Sequence, residues 1–149
     1  MCWAQAPDTI PPFKKLRRYD SDLKFNRDSL HAEHKQVFVL FDAGCGPCQE
    51  FAGEFGKVVN QLDSTIDYYF ISMQEKPLVD GFINMFAPTL KNNPRVKFLY
   101  DPEAEFYVLF NPTKFPSAYI YDRKTFKLLL HSEEQDKLQK MIPYLKKRI

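Results

Sequence analysis

The sequence predicts an α/β fold, in which a mixed central sheet is flanked by helices and carries an N-terminal β-hairpin extension. Short apolar runs alternate with segments of helical periodicity, which is typical of parallel strands joined by helices. Near the C-terminus two apolar runs flank a polar turn and indicate an antiparallel hairpin. At 149 residues, 44% of them apolar, the chain can form one domain with its own hydrophobic core.

The start of the chain is predicted to be an arm. Residues 1–10 are expected to be flexible and residues 11–149 to form the domain, because prolines near the start favour extended chain. Ala4-Gln5-Ala6 has the small-x-small form of a signal cleavage site, so the arm can be the remnant of an export signal. Cys2 can instead be the acylated cysteine of a lipoprotein, or the start can carry no function at all.

A short hairpin and a brief helix are expected next. Segments 13–19 and 23–25 flank Asp20-Ser21-Asp22, a polar turn signal, which predicts two antiparallel strands. Either Asp28 or Ser29 is expected to cap the brief helix, since both residue types accept hydrogen bonds from the first helical N–H groups.

The middle of the chain alternates predicted strands and helices. Residues 37–41 are continuously apolar, as expected of a central strand that is buried on both faces. A helix is predicted from Pro47 to about Leu62, because apolar residues recur there at steps of three and four. The remaining predicted elements are strand 66–73, helix 78–90 ending near Phe86, strand 96–100, short helix 103–109, hairpin strands 117–121 and 126–131, and helix 133–147 with a break or bend near Pro143.

The tetrapeptide Cys45-Gly46-Pro47-Cys48 carries the clearest chemistry. Two thiols two residues apart can close on each other within one helical turn and so cycle between dithiol and disulfide. The apolar strand before the motif and the helix that it opens place helix N–H groups and the positive end of the helix dipole at Cys45. That environment stabilises a thiolate, which is the nucleophilic form of cysteine.

With these features the chain resembles the thioredoxin-fold redoxin family, and within it the exported thiol-disulfide oxidoreductases of bacteria. The residues that carry the resemblance are Phe41-Asp42-Ala43-Gly44-Cys45-Gly46-Pro47-Cys48 and the later Phe115-Pro116-Ser117. The resemblance implies a thioredoxin-like three-layer fold. It also implies that Phe115 and a cis Pro116 form a loop that packs against the two cysteines.

The function that the resemblance implies is disulfide reduction, with Cys45 as the nucleophile and Cys48 as the resolving thiol. Gly46-Pro47 is the dipeptide that reductants of this family carry between their cysteines. The expected partners are a disulfide-bearing protein substrate and a membrane or soluble thiol electron donor. We expect the protein in the periplasm or cell envelope of a Gram-negative bacterium, with the cytoplasm as the alternative. A monomer is favoured.

Three positions depart from the family pattern. Gly44 stands where the family usually has Trp before the first cysteine, and Val39 stands where thioredoxin has a buried Asp. The Glu that some exported members carry after the second cysteine falls on Phe51, with Glu50 one place earlier. The proton acceptor for the resolving thiol is therefore open, and the candidates are Asp42 and Glu50.

Other functions are weighed against this interpretation. The net charge of +2 is too small to indicate nucleic acid. A zinc site would need a second ligand pair; His31 and His34 have a suitable spacing but lie in a charged stretch before the motif strand. Peroxidase chemistry would need a hydroxyl residue shortly before the first cysteine, which the sequence lacks. No metal and no cofactor are expected. A non-catalytic binding module with a structural disulfide remains the alternative.

Overall fold

A mixed sheet forms the centre of the computed structural model, which describes residues 6–133 and 137–147. Within these residues seven strands lie in the order β2-β1-β5-β4-β3-β6-β7. The strands are β1 (Leu16–Arg18), β2 (Lys24–Phe25), β3 (Lys35–Leu40), β4 (Ile66–Ser72), β5 (Val96–Tyr100), β6 (Ser117–Tyr121) and β7 (Leu128–Ser132). The helices are α1 (Gly46–Val58), α2 (Lys76–Phe86), α3 (Glu105–Phe110) and α4 (Lys137–Leu145).

The three central strands β3, β4 and β5 are parallel, and antiparallel strands extend the sheet on both sides. Val39 of β3 lies opposite Phe70 of β4 on one side and opposite Ala118 of β6 on the other. β7 pairs with β6, and the β1–β2 hairpin pairs with the outer side of β5. The predicted fold class, including the N-terminal hairpin, is confirmed. None of the helices within the described ranges has the length and apolar character that a membrane span requires.

Successive residues of the central strands point to opposite faces of the sheet, and each face has its own core. Val37, Val39 and Phe41 belong to the core beneath α1, α2 and α4, which we call the helix-covered face. Phe38 and Leu40 belong to the core on the other side, which we call the aromatic face. That second core is closed by α3 and by the N-terminal chain from Ile10 to Leu30.

Several element boundaries differ from the prediction. α1 ends at Val58 and continues as one 3-10 turn, Val59–Gln61, instead of remaining α-helical to Leu62. β7 begins at Leu128 because Lys124 and Phe126 adopt positive φ angles of 64° and 54°, which belong to the preceding turn.

The brief helix before β3 is a 3-10 turn, Arg27–Ser29, and its cap differs from both predicted residues. Asn26 is the N-cap: its side chain accepts the Asp28 N–H at 2.8 Å, and the Ser29 hydroxyl accepts the Asn26 N–H at 3.1 Å. This reciprocal pair satisfies two N–H groups at the start of the turn. The prediction of Asp28 or Ser29 as the cap was wrong, although Ser29 takes part from the opposite position.

The end of the predicted arm contacts the sheet. Thr9 forms a β-bridge with Lys127, Ile10 is buried, and the Tyr121 hydroxyl donates to the Pro7 carbonyl oxygen at 2.8 Å. Residues 7–10 are therefore bound to the domain rather than free of it, and the division of the chain at residue 10 stays a prediction. Cys2 and most of Ala4-Gln5-Ala6 lie outside the described residues, as do residues 134–136 of the predicted last helix. The described part of that helix includes Pro143.

Candidate active site

The motif lies at the junction of β3 and α1. Cys45 is the N-cap residue of α1, with extended φ and ψ of −87° and 119°, and Pro47 lies in the first turn. The Cys45 sulfur accepts the backbone N–H of Cys48 at 3.2 Å. An unpaired N–H at the start of a helix is thus directed at this sulfur, as the sequence predicts for the motif.

The two thiols differ in exposure. Cys45 is half-buried and Cys48 is 1% exposed, and both are free thiols. Burial raises the pKa of the Cys48 thiol; the Asp42 main chain opposes this rise, while the Cys45 thiol and the Asp42 carboxylate add to it. Cys45 can therefore be reached from solvent, whereas Cys48 is held as a neutral thiol behind it.

The second motif lies beside the first. The Phe115–Pro116 peptide bond is cis, which confirms the prediction. The Cys45 thiol donates to the Phe115 carbonyl oxygen at 3.5 Å, so a segment 70 residues later in the chain contacts the motif cysteine. The Phe115 side chain is 36% exposed, and its ring centroid lies 5.6 Å from that of Tyr107.

Of the two candidate proton acceptors, Asp42 lies at the thiols. It is half-buried, and its Oδ1 accepts the Gly44 N–H at 2.8 Å and the Gln74 amide N–H at 3.1 Å. Its charge acts on Cys48. Glu50 instead lies on the exposed side of α1, where it lines a shallow groove with Phe86.

The motif loop is braced by two glutamines that sequence reasoning missed. The Gln74 side chain, from the loop after β4, accepts the Ala43 N–H at 2.7 Å. The Gln49 side chain donates to the Ala43 carbonyl oxygen at 3.0 Å. Both backbone groups of Ala43 are thus satisfied by side chains from other elements. Only the proximity of the carboxyl ends of two parallel strands could have indicated Gln74.

A tyrosine reaches the same region from the aromatic face. The Tyr107 hydroxyl lies 2.9 Å from both the Phe41 and the Ile71 carbonyl oxygens and shares its one proton between them. These carbonyls belong to the ends of two neighbouring strands, so the hydroxyl fixes the start of the motif loop. No sequence pattern distinguishes Tyr107 from the other aromatic residues of the chain.

The departures from the family pattern are apolar or open positions. Val39 and Phe51 are both buried in the core of the helix-covered face, so no carboxylate lies beneath the thiols at these places. Gly44 is exposed, and a Cβ there would meet only the Asp42 Oδ1 at 3.4 Å. The position therefore has room for a side chain.

The histidines of the zinc alternative lie elsewhere. His31 and His34 stack with ring centroids 3.9 Å apart, and His34 pairs with Asp67 at 3.1 Å. They precede β3, whereas Cys45 follows it, and a six-residue strand spans about 20 Å. Over residues 6–133 and 137–147 there is no group of three or more metal-ligating side chains.

The sequence matches no protein-family model and no curated protein sequence. The structure is similar to several solved structures. One is a secreted Mycobacterium tuberculosis disulfide oxidoreductase (17% identity, TM-score 0.68, covering 89% of this chain and 96% of that chain). Another is a thiol-disulfide oxidoreductase from Bacteroides fragilis (14%, TM-score 0.69, 91% and 98%). A third is an exposed lipoprotein thioredoxin from Streptococcus pneumoniae (12%, TM-score 0.65, 91% and 100%).

At these identities the likeness shows the fold. The order of the strands, the cysteine motif at the start of α1 and the cis-proline loop beside it all agree with that likeness. The chain therefore has the thioredoxin-like fold of thiol-disulfide oxidoreductases.

Proposed function

We propose that this protein is a thiol-disulfide oxidoreductase that reduces protein disulfides, with Cys45 as the nucleophile and Cys48 as the resolving thiol. The observation that carries the proposal is the Cys45 sulfur itself. It is half-buried, it accepts a helix N–H at 3.2 Å, and Cys48 is buried behind it. A helix N–H is thus directed at a sulfur that can still meet a substrate disulfide.

In the first half of the reaction the Cys45 thiolate attacks one sulfur of the substrate disulfide. The substrate S–S bond breaks, its other sulfur leaves as a thiolate and takes a proton from solvent, and Cys45 is left in a mixed disulfide. Cys48 stays protonated during this step because burial raises the pKa of its thiol. The enzyme therefore presents one nucleophile at a time.

In the second half Cys48 loses its proton and attacks the Cys45 sulfur. Asp42 is the proposed proton acceptor, because it is the candidate carboxylate whose charge acts on Cys48. The mixed disulfide breaks, the second substrate sulfur leaves as a thiolate, and a Cys45–Cys48 disulfide forms. Two electrons have passed to the substrate, so a thiol electron donor must reduce the pair again.

The direction of the exchange, which is reduction of the substrate, and the location of the protein in the cell envelope are both part of the proposal. Gly46-Pro47, the dipeptide of reductants in the family that the chain resembles, supports reduction. Export to the cell envelope is supported by two of the similar structures, one of a secreted oxidoreductase and one of an exposed lipoprotein. Localisation of the protein in the native bacterium by cell fractionation tests this, and recovery only from the cytoplasm would contradict it.

The catalytic proposal is tested by insulin reduction with dithiothreitol as the electron donor. Cys45→Ser should abolish the reaction, because it removes the attacking sulfur. Cys48→Ser should attack once and remain as a mixed disulfide with the substrate, which non-reducing mass spectrometry detects. Trapping in cell extract with the same variant identifies the natural substrate.

Cys2→Ser is the matched control, because it removes the third thiol and leaves the motif intact. It should reduce insulin as fast as the unmodified chain. If the unmodified chain reduces no disulfide and the Cys48→Ser variant captures none, the protein is a binding module instead of an oxidoreductase.

A further inference from the structure

A carboxylate at the end of β7 binds the chain on both sides of Phe115 and Pro116. The Glu133 Oε2 accepts the Thr113 N–H at 2.9 Å, the Lys114 N–H at 3.4 Å and the Ser117 hydroxyl proton at 2.7 Å. The Glu133 Oε1 accepts the Thr113 hydroxyl proton at 2.5 Å. One side chain thus holds residues before and after the segment that touches Cys45.

The side chains of His131 and Tyr119 complete this cluster. The His131 Nε2 lies 3.0 Å from the Ser117 Oγ, and the His131 ring stacks on Tyr119 with centroids 4.3 Å apart. Because the Ser117 hydroxyl gives its proton to Glu133, the His131 Nε2–H is the donor to Ser117. Ser, His and Glu form nucleophilic triads in hydrolases, but this serine is fully buried and its proton already has an acceptor.

The cluster holds a negative charge at neutral pH. Burial opposes ionisation of Glu133, but hydrogen bonds from Thr113, Ser117 and Lys114 outweigh burial and lower the pKa of its carboxyl. An ionised carboxylate accepts more and stronger hydrogen bonds than a neutral amide of the same size. We call the hydrogen bonds from the 113–117 segment to Glu133 the clamp. The clamp therefore depends on the charge of Glu133 as well as on the shape of its side chain.

We propose that Glu133 is a positioning residue for thiol–disulfide exchange. Its carboxylate fixes the 113–117 segment and thereby sets the 3.5 Å contact between the Phe115 carbonyl oxygen and the Cys45 sulfur. The inference rests on the proposed function of Cys45, and it adds a residue that touches neither thiol. Phe115 is also 36% exposed, so the same carboxylate holds a segment that a protein substrate can reach.

Loosening the clamp should act on two properties of Cys45 in opposite directions. The hydrogen bond to the Phe115 oxygen holds the Cys45 thiol, so loss of this contact frees the sulfur for a small alkylating reagent. A protein disulfide, in contrast, is presented less well to the sulfur when the adjacent segment moves. Alkylation of Cys45 should become faster while reduction of a protein substrate becomes slower.

The test is Glu133→Gln, which keeps the size of the side chain and removes its charge. Insulin reduction should slow by about tenfold, a fraction of the roughly hundredfold that a 1 Å misplacement can cost. Iodoacetamide alkylation of Cys45 at pH 7, followed at the Cys45 peptide by mass spectrometry, should rise about threefold, as expected for the loss of one weak hydrogen bond.

Glu105→Gln is the matched control. The Glu105 carboxylate accepts the Lys14 N–H at 2.9 Å and the Lys15 N–H at 2.8 Å, so it also clamps backbone, but on the N-terminal chain. This variant should lose a similar amount of stability and keep both properties of Cys45. Thr113→Val, which removes one hydroxyl from the clamp, is a milder variant that should shift both readouts in the same directions as Glu133→Gln.

Equal behaviour of the Glu133→Gln and Glu105→Gln variants in both assays would overturn the inference. So would a loss of insulin reduction that only matches the loss of folded protein, without faster alkylation. If Glu133→Gln does not fold, an unchanged Thr113→Val variant overturns it equally. If the unmodified chain reduces no disulfide but Glu133→Gln still alkylates faster, the proposed function fails while the positioning of Phe115 by Glu133 stands.

Discussion

The two faces of the sheet are closed in different ways. The helix-covered face lies beneath α1, α2 and α4, whose apolar stripes pack on the central strands. The aromatic face carries α3, a helix of only six residues, and the irregular N-terminal chain from Ile10 to Leu30. Its volume is filled by rings: Phe38 alone lies within 6.4 Å of five other ring centroids.

Irregular chain can cover a sheet only if side chains satisfy its backbone groups. A helix pairs its own N–H and C=O groups, but the N-terminal chain cannot. On the aromatic face Glu105 accepts the N–H groups of Lys14 and Lys15, and Arg27 donates to the Ile10 carbonyl oxygen at 2.9 Å. The irregular chain on this face thus depends on specific polar contacts to its backbone.

The two faces meet at the motif loop. Gln74, which precedes α2, holds Ala43 and Asp42, while Tyr107 of α3 holds the Phe41 carbonyl from the opposite side. The loop that carries Cys45 is therefore fixed by residues from both faces. The comparison predicts that both faces contribute to stability and that contacts at their meeting point also affect the thiols.

The largest effect is expected from Phe38→Ala. Phe38 is fully buried in the aromatic core, and removal of such a ring costs about 3–5 kcal/mol of unfolding free energy. Phe70→Ala on β4, in the core of the helix-covered face, is the matched variant and should cost a similar amount. Urea unfolding measures both. A loss below about 1 kcal/mol for Phe38→Ala would mean that the aromatic face is dispensable.

Tyr107→Phe should have the next largest effect. The variant leaves the Phe41 and Ile71 carbonyl oxygens without this donor, which should lower the unfolding free energy by about 1–2 kcal/mol and slow insulin reduction. Tyr121→Phe is the control, because its hydroxyl bonds Pro7, away from the motif loop. It should lose comparable stability and keep its activity; equal activity losses would remove the link between the aromatic face and the thiols.

Gln74→Ala should have a smaller effect on stability, about 1 kcal/mol, because it removes the acceptor for one partly buried N–H group. Its effect on insulin reduction should be larger than this suggests, since it also releases Asp42. Gln61→Ala, an exposed glutamine after the far end of α1, should change neither property. Unchanged insulin reduction by the Gln74→Ala variant would show that the hydrogen bonds of Gln74 to the motif loop are not needed for exchange.

The smallest expected effect is a gain in stability, whereas the preceding variants are expected to lose stability. Asp101 is buried and caps α3 through the N–H groups of Phe106 and Tyr107, and burial raises the pKa of its carboxyl above the ordinary 3.8. The native state therefore binds more protons than the unfolded state just above pH 3.8. Its unfolding free energy falls as the pH rises through this window to the raised pKa.

Asp101→Asn keeps an acceptor oxygen for the α3 cap and removes this titration. The variant should be more stable than the unmodified chain at pH 7, and it should lack the fall in stability above pH 3.8. Urea unfolding at a series of pH values measures both. An identical pH dependence for the two proteins would contradict the assignment.

Much of the fold could be predicted because its signals are local. The strands at 96–100 and 117–121 agree with the predicted bounds, since apolar runs bounded by turn residues mark strands directly. The N-cap role of Asn26 was missed because three residues within four positions, Asn26, Asp28 and Ser29, are all good caps and only the local geometry selects one. The start of β7 was likewise misplaced, because the positive φ angles of Lys124 and Phe126 are not visible in the sequence pattern.

The sequence by itself determined which chemistry is proposed, through two cysteines at the predicted start of a helix, after an apolar strand, and a Phe-Pro-Ser segment that enters a later strand. Tertiary structure decided which side chains lie around the motif. Asp42 lies at Cys48 and Glu50 does not; Gln74, Tyr107 and Glu133 lie far from the motif in sequence and hold the segments around it. The physical reason is that hydrogen bonds between distant segments depend on how strands and helices pack, whereas helix starts and apolar runs depend on neighbouring residues.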